Sequence, residues 1–354
     1  MTKDQQQLAE TNYVVRHMVD DDLGFRPEIF QVEGDSPYEL CKHYVYLQFL
    51  VEGDEQPHYY MRNFKPGAIR WGGIVKLGDG PLEPQQPGQG HYRDLAQEGV
   101  PLKGYEEVSD APVTYASETT EPYLLQSKTA DRIVIKEGDV LDITGEYWPV
   151  GMFSGKNSAL GGGYIWQPFT FSGTYEGKPV TGIGQFDHCF ATADDVDGRM
   201  ELIYNYVASS VYCGIRKDGR REFFYGFMRK ANGYGTAVYW LEGEEPIVTE
   251  QSEIEVEYFP LGWVDEGDTT CAFKNITWRF ADKEIHFTGK WGSRRFTDHP
   301  KGEPAGWSNV FGTWYSGDTP IDYALSETWN ETMASTAGEL RALGYTVHDS
   351  SVSV

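Results

Sequence analysis

Residues 164–191, YIWQPFTFSGTYEGKPVTGIGQFDHCFA, decide the fold. The arm from Tyr164 to Tyr175 and the arm from Val180 to Phe190 are both rich in aromatic and β-branched residues, as strands are. Between them Glu176-Gly177-Lys178 has the composition of a tight turn. The sequence therefore predicts an antiparallel β-hairpin.

A second hairpin follows along the chain. Tyr204 to Arg216 predicts one strand, Lys217-Asp218-Gly219 a turn, and Glu222 to Arg229 the returning strand. With the shorter runs elsewhere, at least ten strands are predicted against one convincing helix. Many strands joined by short turns favour antiparallel sheets that close on themselves, because closure removes exposed edges. The shorter strands are predicted at residues 43–51, 58–62, 132–135, 140–143, 237–241, 253–258, 275–280 and 284–289.

The helix is predicted at residues 325–345, where apolar residues recur on one helical face and Gly344 follows as a stop. The recurring residues are Leu325, Trp329, Met333, Ala337 and Leu340. Residues 77–126 are rich in Gly, Pro, Gln and Glu, so we expect a long loop over the surface.

Composition excludes several classes of function. The net charge of -24 repels phosphate backbones and anionic lipid, so neither nucleic acid nor a membrane surface is expected as a partner. No apolar run is long enough to span a membrane, and the N-terminus lacks the apolar stretch of a signal peptide, so we expect a cytoplasmic protein. The four cysteines form no CxxC pair and the eight histidines form no zinc-type spacing, so no metal site is predicted. His43 and His58 could still meet across a hairpin.

The first hairpin also resembles a known family. Its short turn, Gly-rich strand and Asp187-His188 pair resemble the central hairpin of the hydroxyneurosporene synthase (carotenoid 1,2-hydratase) and AttH-like lipocalin family. Phe190-Ala191 stands where that family has Trp-Gly. The hairpin around Lys217-Asp218-Gly219, Trp278 and the segment around Trp291 also fit, so the resemblance covers residues 165–315.

This resemblance implies two lipocalin-like antiparallel barrel or sandwich domains, so with the predicted C-terminal helix we expect an all-β fold. The domains are expected at residues 1–180 and 181–324, with the helix at 325–345. Family members hydrate double bonds or steer cyclisations without a nucleotide or a metal. The resemblance therefore implies a pocket and proton chemistry that needs no cofactor.

Asp187 and His188 are the predicted catalytic acid/base residues, since a carboxyl group or an imidazole can deliver a proton to carbon. Neighbouring strand residues point to opposite faces, so only one of the two can face a cavity unless a bulge intervenes. His188 shares its face with Gly182 and Gly184, which would leave room for a ligand, so His188 is favoured as the inward residue. The pair could instead tie two barrels together by hydrogen bonds.

Aromatic residues supply the remaining candidates, because phenols hold protons or waters and aromatic faces stabilise cationic character. The candidate catalytic tyrosines are Tyr206 and Tyr212. The candidate substrate-binding residues are Trp148, Tyr164, Trp166, Phe186, Phe190, Tyr204, Tyr225, Trp278 and Trp291.

The leading hypothesis is a lyase, such as a hydratase, or an isomerase. It would act on a hydrophobic terpenoid, polyketide, steroid or aromatic compound. A lipocalin-like binding protein without chemistry explains the aromatic residues equally well. A carbohydrate-active protein is the third possibility, ranked last.

Overall fold

The computed structural model describes two compact units, each with its own sheet and hydrophobic core. The all-β class predicted from the sequence is confirmed. Within the described residues, no helix is long and apolar enough to cross a membrane. The described residues are 13–17, 38–65, 68–76, 92–96, 100–101, 113–117, 123–127, 132–154, 162–192, 206–229, 233–262, 269–296, 307–316, 319–320, 323–329 and 337–349.

The first unit is a 13-stranded antiparallel sheet. Its strands are β1 (Tyr13–His17), β2 (Tyr38–Val51), β3 (His58–Lys65), β4 (Ala68–Lys76), β5 (Tyr92–Ala96), β6 (Val100–Pro101), β7 (Val113–Ser117), β8 (Tyr123–Ser127), β9 (Arg132–Glu137), β10 (Leu141–Tyr147), β11 (Val150–Ser154), β12 (Gly162–Tyr175) and β13 (Lys178–Thr192). The main path is β5-β4-β3-β2-β13-β12-β10-β9-β8-β7, with β6 beside β4, and β11 joining β12 to β1. The pairing of β13 with β2 brings the last long strand of the unit beside the first.

The second unit is a barrel. Its strands are β14 (Tyr206–Ile215), β15 (Arg221–Arg229), β16 (Tyr234–Leu241), β17 (Ile247–Gly262), β18 (Thr269–Phe280), β19 (Lys283–Phe296), β20 (Trp307–Ser316), β21 (Thr319–Pro320), β22 (Tyr323–Trp329) and β23 (Thr346–Asp349), with helix α1 (Ala337–Ala342) before the last. Strands β14 to β20 and β22 pair in a ring of eight, because β22 pairs with β14 and β16 with β17. This is the up-and-down arrangement that the lipocalin-like prediction requires. Strand β23 adds a parallel pairing to β17.

The hairpin that decided the fold has the predicted turn. Tyr175 pairs with Lys178, so Glu176 and Gly177 form a two-residue loop. Both have positive φ, 49° and 74°, as the twist of a two-residue hairpin demands. Glycine adopts this conformation at no steric cost, whereas Glu176 holds it as a non-glycine residue.

Each unit encloses one main cluster of apolar side chains. We call the cluster of the first unit the first core and that of the second unit the second core. The first core contains Val45, Leu47, Phe49, Val51, Tyr60, Ile74, Ile133, Ile135, Val140, Leu141, Ile143, Tyr147, Phe169, Phe171, Val180 and Phe186. The second core contains Ala208, Tyr212, Phe224, Met228, Ala237, Tyr239, Leu241, Ile254, Val256, Ile276, Trp278, Phe280, Ile285, Phe287, Trp314, Leu340 and Tyr345.

The predicted helix is wrong over its first part. Leu325 and Trp329 lie on strand β22, which pairs with β14 and β20. A spacing of four residues is also a multiple of two, so it places residues on one face of a strand as well as of a helix. Met333 lies outside the described residues. Only Ala337–Ala342 is helical, and Gly344, at a φ of 95°, ends that helix as predicted.

The boundary between the units lies later than the predicted residue 180. Strand β13 continues to Thr192 and pairs with β12 and β2 along nearly its whole length. Cutting the chain at 180 would remove a central strand from the first sheet. The second sheet begins at Tyr206.

Candidate functional site

Asp187, one of the two predicted acid/base residues, lies in the middle of the first sheet on β13. It pairs with Trp166 on β12 and with Tyr44 on β2. Its side chain is fully buried. Gln185 donates a hydrogen bond from Nε2 to Asp187 Oδ2 at 3.4 Å. A buried carboxyl group therefore lies between two strand neighbours with aromatic side chains.

Asp187 lies on the face of the sheet opposite the first core. Phe186 belongs to that core, and successive strand residues point to opposite faces. The only register shift between β13 and β2 lies between Cys189 and Phe190, beyond the pair. No bulge therefore turns Asp187 towards the first core.

His188 pairs with Ile165 on β12 and with His43 on β2, in the same strand pairings. Its side chain is outside the part of the chain that the structure describes. The hypothesis that His188 faces a cavity stays a prediction.

The glycines beside this pair do not leave room for a ligand, and that part of the argument for His188 is wrong. A Cβ atom on Gly184 would lie 2.4 Å from the Phe169 ring and 2.6 Å from Leu47. A Cβ atom on Gly182 would lie 2.8 Å from the Phe171 ring and 2.3 Å from a backbone oxygen. The missing side chains make space for aromatic rings of the neighbouring strand β12, which is core packing.

His43 is a buried imidazole that the sequence analysis considered only as a metal ligand. Burial lowers its pKa from 6.5 to about 3, so it is uncharged at neutral pH. Its ring centroid lies 5.1 Å from that of Phe186. A pKa this low makes the neutral imidazole a weak base, and at neutral pH the ring carries no second proton to donate. The signal for His43 was its spacing of two residues from the buried Val45 and of four from the buried Leu47.

A buried ion pair crosses the first core. Arg62 donates from Nε to Glu137 Oε1 at 2.7 Å, and Tyr60 donates its hydroxyl to the same oxygen at 2.9 Å. Both charged side chains are buried, with exposures of 1% and 5%. Such a pair holds strands β3 and β9 in one arrangement, and breaking it would leave an uncompensated buried charge. The sequence analysis missed these residues because each lies at one end of an otherwise apolar alternation.

A third buried carboxyl group, that of Glu222, lies in the barrel of the second unit. Glu222 is fully buried and accepts hydrogen bonds from Tyr212 at 3.1 Å and Tyr239 at 2.7 Å. Arg216 donates from Nε to its other oxygen at 2.9 Å. The predicted catalytic residue Tyr212 therefore donates a hydrogen bond from its hydroxyl group to Glu222. Its role in this structure is to satisfy a buried charge.

The predicted site residues divide between the two units. Asp187, Trp166 and Phe186 belong to the first unit, whereas Tyr212 and Trp278 belong to the second core.

Within each unit the predicted residues also divide between faces. Trp148 follows β10, and its backbone N–H donates a hydrogen bond to the Pro168 carbonyl. Pro168 pairs with Gln185, which shares the Asp187 face of the sheet, so Trp148 lies on that face and not on the face of the first core. Tyr225 follows the core residue Phe224 along β15, so it points away from the second core.

The remaining candidates lie partly or wholly outside the described residues. The strands carrying them are described, but their side chains are not, for Tyr164, Phe190, Tyr206 and Trp291. Tyr204 lies outside the described residues altogether.

Histidine pairing gives no metal centre at the hairpin considered from the sequence. His43 pairs with Phe64 and His58 with Phe49, so the two imidazoles lie six residues apart along β2. Among the described side chains, no group of three or more His, Cys, Asp or Glu residues is placed to hold a metal ion.

Solved structures that resemble the chain include the following two. One is a protein assigned as AttH from Nitrosomonas europaea, with 13% identity and a TM-score of 0.49, covering 82% of this chain and 92% of that one. The other is kievitone hydratase from Nectria haematococca, with 9% identity and a TM-score of 0.43, covering 85% of this chain and 92% of that one. No protein-family model matches the chain. No curated protein sequence matches it.

Proposed function

We propose that the protein is a cofactor-independent lyase or isomerase that acts by acid/base chemistry on a hydrophobic small molecule. The carrying observation is the fully buried Asp187, in register between Tyr44 and Trp166. Aspartate is among the residues least often fully buried. A carboxyl group among aromatic side chains suits proton transfer to carbon, because cationic character that develops in the substrate can be stabilised by the rings.

The proposed chemistry needs one acid and its conjugate base. In the hydration direction, the acid transfers its proton to one carbon of a double bond, and water oxygen bonds to the other carbon. The surplus proton of that water returns to the conjugate base, so the acid is regenerated. In the isomerase version, the base removes a proton from a neighbouring carbon instead. We assign the acid role to Asp187 or His188.

The competing function is a carrier that binds the same class of molecule without changing it. The second core favours this alternative, because its residues Tyr212 and Tyr239 donate hydrogen bonds to a buried carboxyl group, Glu222, that already pairs with Arg216. A carrier would bind its ligand and release it with the same mass.

The test is turnover in heavy water with a panel of terpenoid, polyketide, steroid and aromatic alkenes, followed by mass spectrometry. Addition or loss of one water, or deuterium bound to carbon, identifies the reaction. Asp187→Asn and His188→Gln are the test variants. Loss of the acid is expected to lower turnover about 10²–10⁴-fold.

Matched controls carry the same changes at exposed positions. Asp142→Asn alters a half-exposed aspartate on β10, and His348→Gln alters an exposed histidine on β23. Both controls should keep full turnover. The assignment fails if both test variants fold, by circular dichroism, and turn over as fast as these controls.

A further inference from the structure

Gln185 lies beside Asp187 on the same face of the first sheet, two residues earlier along β13. Its side chain is buried, with an exposure of 4%. Its Nε2 atom donates the hydrogen bond to Asp187 Oδ2, and its Oε1 atom is buried without a hydrogen-bond partner among the described residues. A buried acceptor without a partner costs free energy, so this amide oxygen calls for an explanation.

The neighbours of Gln185 on this face identify one donor for its oxygen. Ile183, before it on β13, and Pro168, across from it on β12, have no polar atom in their side chains. Tyr46 lies across from it on β2 and does not donate to it. Among the described positions next to Gln185, Asp187 remains, and its carboxyl group becomes a donor when it is protonated.

A glutamine amide can serve both protonation states of a neighbouring carboxyl group. The carboxylate accepts from the amide N–H, as Asp187 does at 3.4 Å, which is long for such a bond. The carboxylic acid needs an acceptor instead, and the amide oxygen takes that role after a half-turn about the last side-chain bond. The half-turn exchanges an oxygen and a nitrogen of similar size, so it needs no empty volume around the side chain.

We propose that Gln185 is the positioning residue for Asp187, and that its amide turns when the proton leaves Asp187 or returns to it. This inference rests on the proposed function, with Asp187 as the acid. While Asp187 holds its proton, its O–H donates to Gln185 Oε1. Once the proton has bonded to the substrate carbon, the Gln185 N–H donates to the carboxylate. The surplus proton of the attacking water then returns to Asp187 and reverses the turn, and no proton passes through the amide.

The other titratable groups around this pair do not interfere with the test. The two strands that flank β13 place two titratable side chains on this face within the described residues, the phenols of Tyr44 and Tyr46 on β2. Phenols ordinarily ionise only at about pH 10. A change in the pH dependence of turnover at lower pH therefore does not come from these phenols.

The test measures kcat and KM against pH for wild type and Gln185→Met, with the alkene of the panel that wild type converts fastest. Methionine keeps the length of the side chain and removes both hydrogen-bonding ends. Gln185→Met should lower kcat about threefold to tenfold, the effect of one hydrogen bond, and leave KM unchanged. The pH at half-maximal kcat should rise by about 0.5 to 1 pH unit, because the carboxylate loses a donor.

Gln167 provides the matched control. It is buried at 1% exposure on the neighbouring strand β12, and it pairs with Phe186 on the face of the first core. Gln167→Met should therefore keep both the kcat and the half-maximal pH of wild type, with kcat referred to the amount of folded protein measured by circular dichroism. A role of Gln185 in stability alone would lower that amount and leave the half-maximal pH in place.

Gln185→Glu is the rescue variant. Its carboxyl group has the length of the glutamine amide and can share one proton with Asp187. It should recover part of the kcat lost in Gln185→Met. It should also raise the half-maximal pH above that of Gln185→Met, because two adjacent carboxyl groups resist double ionisation.

Nuclear magnetic resonance of the unmodified chain keeps the test independent of folding in the variants and of turnover. The side-chain N–H resonances of Gln185, assigned by their loss in Gln185→Met, should move upfield in one step as Asp187 takes up its proton, because the N–H groups then lose the carboxylate. In Asp187→Asn the same resonances should not move with pH.

Two results would overturn the proposal. One is a half-maximal pH in Gln185→Met equal to that of wild type. The other is a set of Gln185 N–H resonances that stay constant over the whole pH range in which the protein is folded. Failure of the proposed function looks different, because Asp187→Asn then turns over as fast as wild type whatever Gln185→Met does.

Discussion

Mild acid should destabilise the first unit through His43. Burial lowers the pKa of this imidazole from 6.5 to about 3, so the native protein does not bind the proton that the unfolded chain takes up near pH 6.5. Burial of the neutral His43 imidazole therefore carries no protonation penalty above pH 6.5. Stability is lost as the pH falls from about 6.5 towards 3.

The size of the effect follows from the same shift. Each pH unit below the unfolded-state pKa costs about 1.4 kcal/mol, so moving from pH 7 to pH 5 should remove about 2 kcal/mol through His43 alone. The lowered pKa values of Glu255 and Glu257 affect the free energy of unfolding in a lower pH range. Their ordinary value is 4.5, so the stability that they contribute is lost mainly below that pH.

Urea unfolding followed by tryptophan fluorescence measures this loss at the two pH values. His43→Gln should show a loss smaller by about 2 kcal/mol than wild type, since glutamine does not titrate. His348→Gln, at an exposed position, should lose as much as wild type. If His43→Gln and wild type lose the same stability, the imidazole is not buried in its neutral form and the reasoning is wrong.

The remaining predictions concern stability and use urea unfolding at neutral pH. Gly173→Ala should cost about 2–3 kcal/mol, because its Cβ would lie 2.1 Å from the Asp142 carbonyl oxygen, which is backbone and cannot rotate away. Gly177→Ala should cost about 1 kcal/mol, because only the positive φ of 74° opposes it and nothing lies within 4 Å; equal costs at the two glycines would contradict the contact argument. Glu222→Ala should cost about 3 kcal/mol, since three donors lose their acceptor, and adding Arg216→Met should recover part of that loss. A double variant less stable than Glu222→Ala would show that the guanidinium does not depend on this carboxylate.

Local patterns predicted the hairpins well because turn chemistry is a local property. Glu176-Gly177 needs two positive φ values, and few residue pairs besides those with glycine tolerate them. Gly344 ends its helix for the same reason. The failure at Leu325 and Trp329 is equally physical. Their spacing fits a strand and a helix alike, and only pairing with β14 and β20 decides between the two.

The glycine argument failed because an absent side chain does not say what occupies its space. The space beside Gly184 is filled by Phe169 from β12 and Leu47 from β2. Both neighbours lie on other strands of the sheet. Arg62 and Glu137, 75 residues apart, were missed for the same reason. Residues that meet only through sheet pairing leave no trace in local spacing.

Burial on both faces explains why sequence alternation could not orient the predicted acid/base pair. On β2, Val45 and Leu47 are buried in the first core. Tyr44 and Tyr46, which alternate with them along the strand, are buried on the opposite face. A strand of this kind has apolar or aromatic residues on both faces, so its sequence does not show which face is turned to the first core.

The same double burial places the Asp187 carboxyl group and the His43 imidazole on opposite faces of the first sheet. Asp187 lies on the face of Tyr44, whereas His43 lies beside Phe186 on the face of the first core. A substrate that meets the carboxyl group is therefore separated from this imidazole by the sheet itself. His43→Gln should change acid stability without changing turnover, and Asp187→Asn should change turnover; an equal loss of turnover in both variants would mean that the two residues act on one substrate.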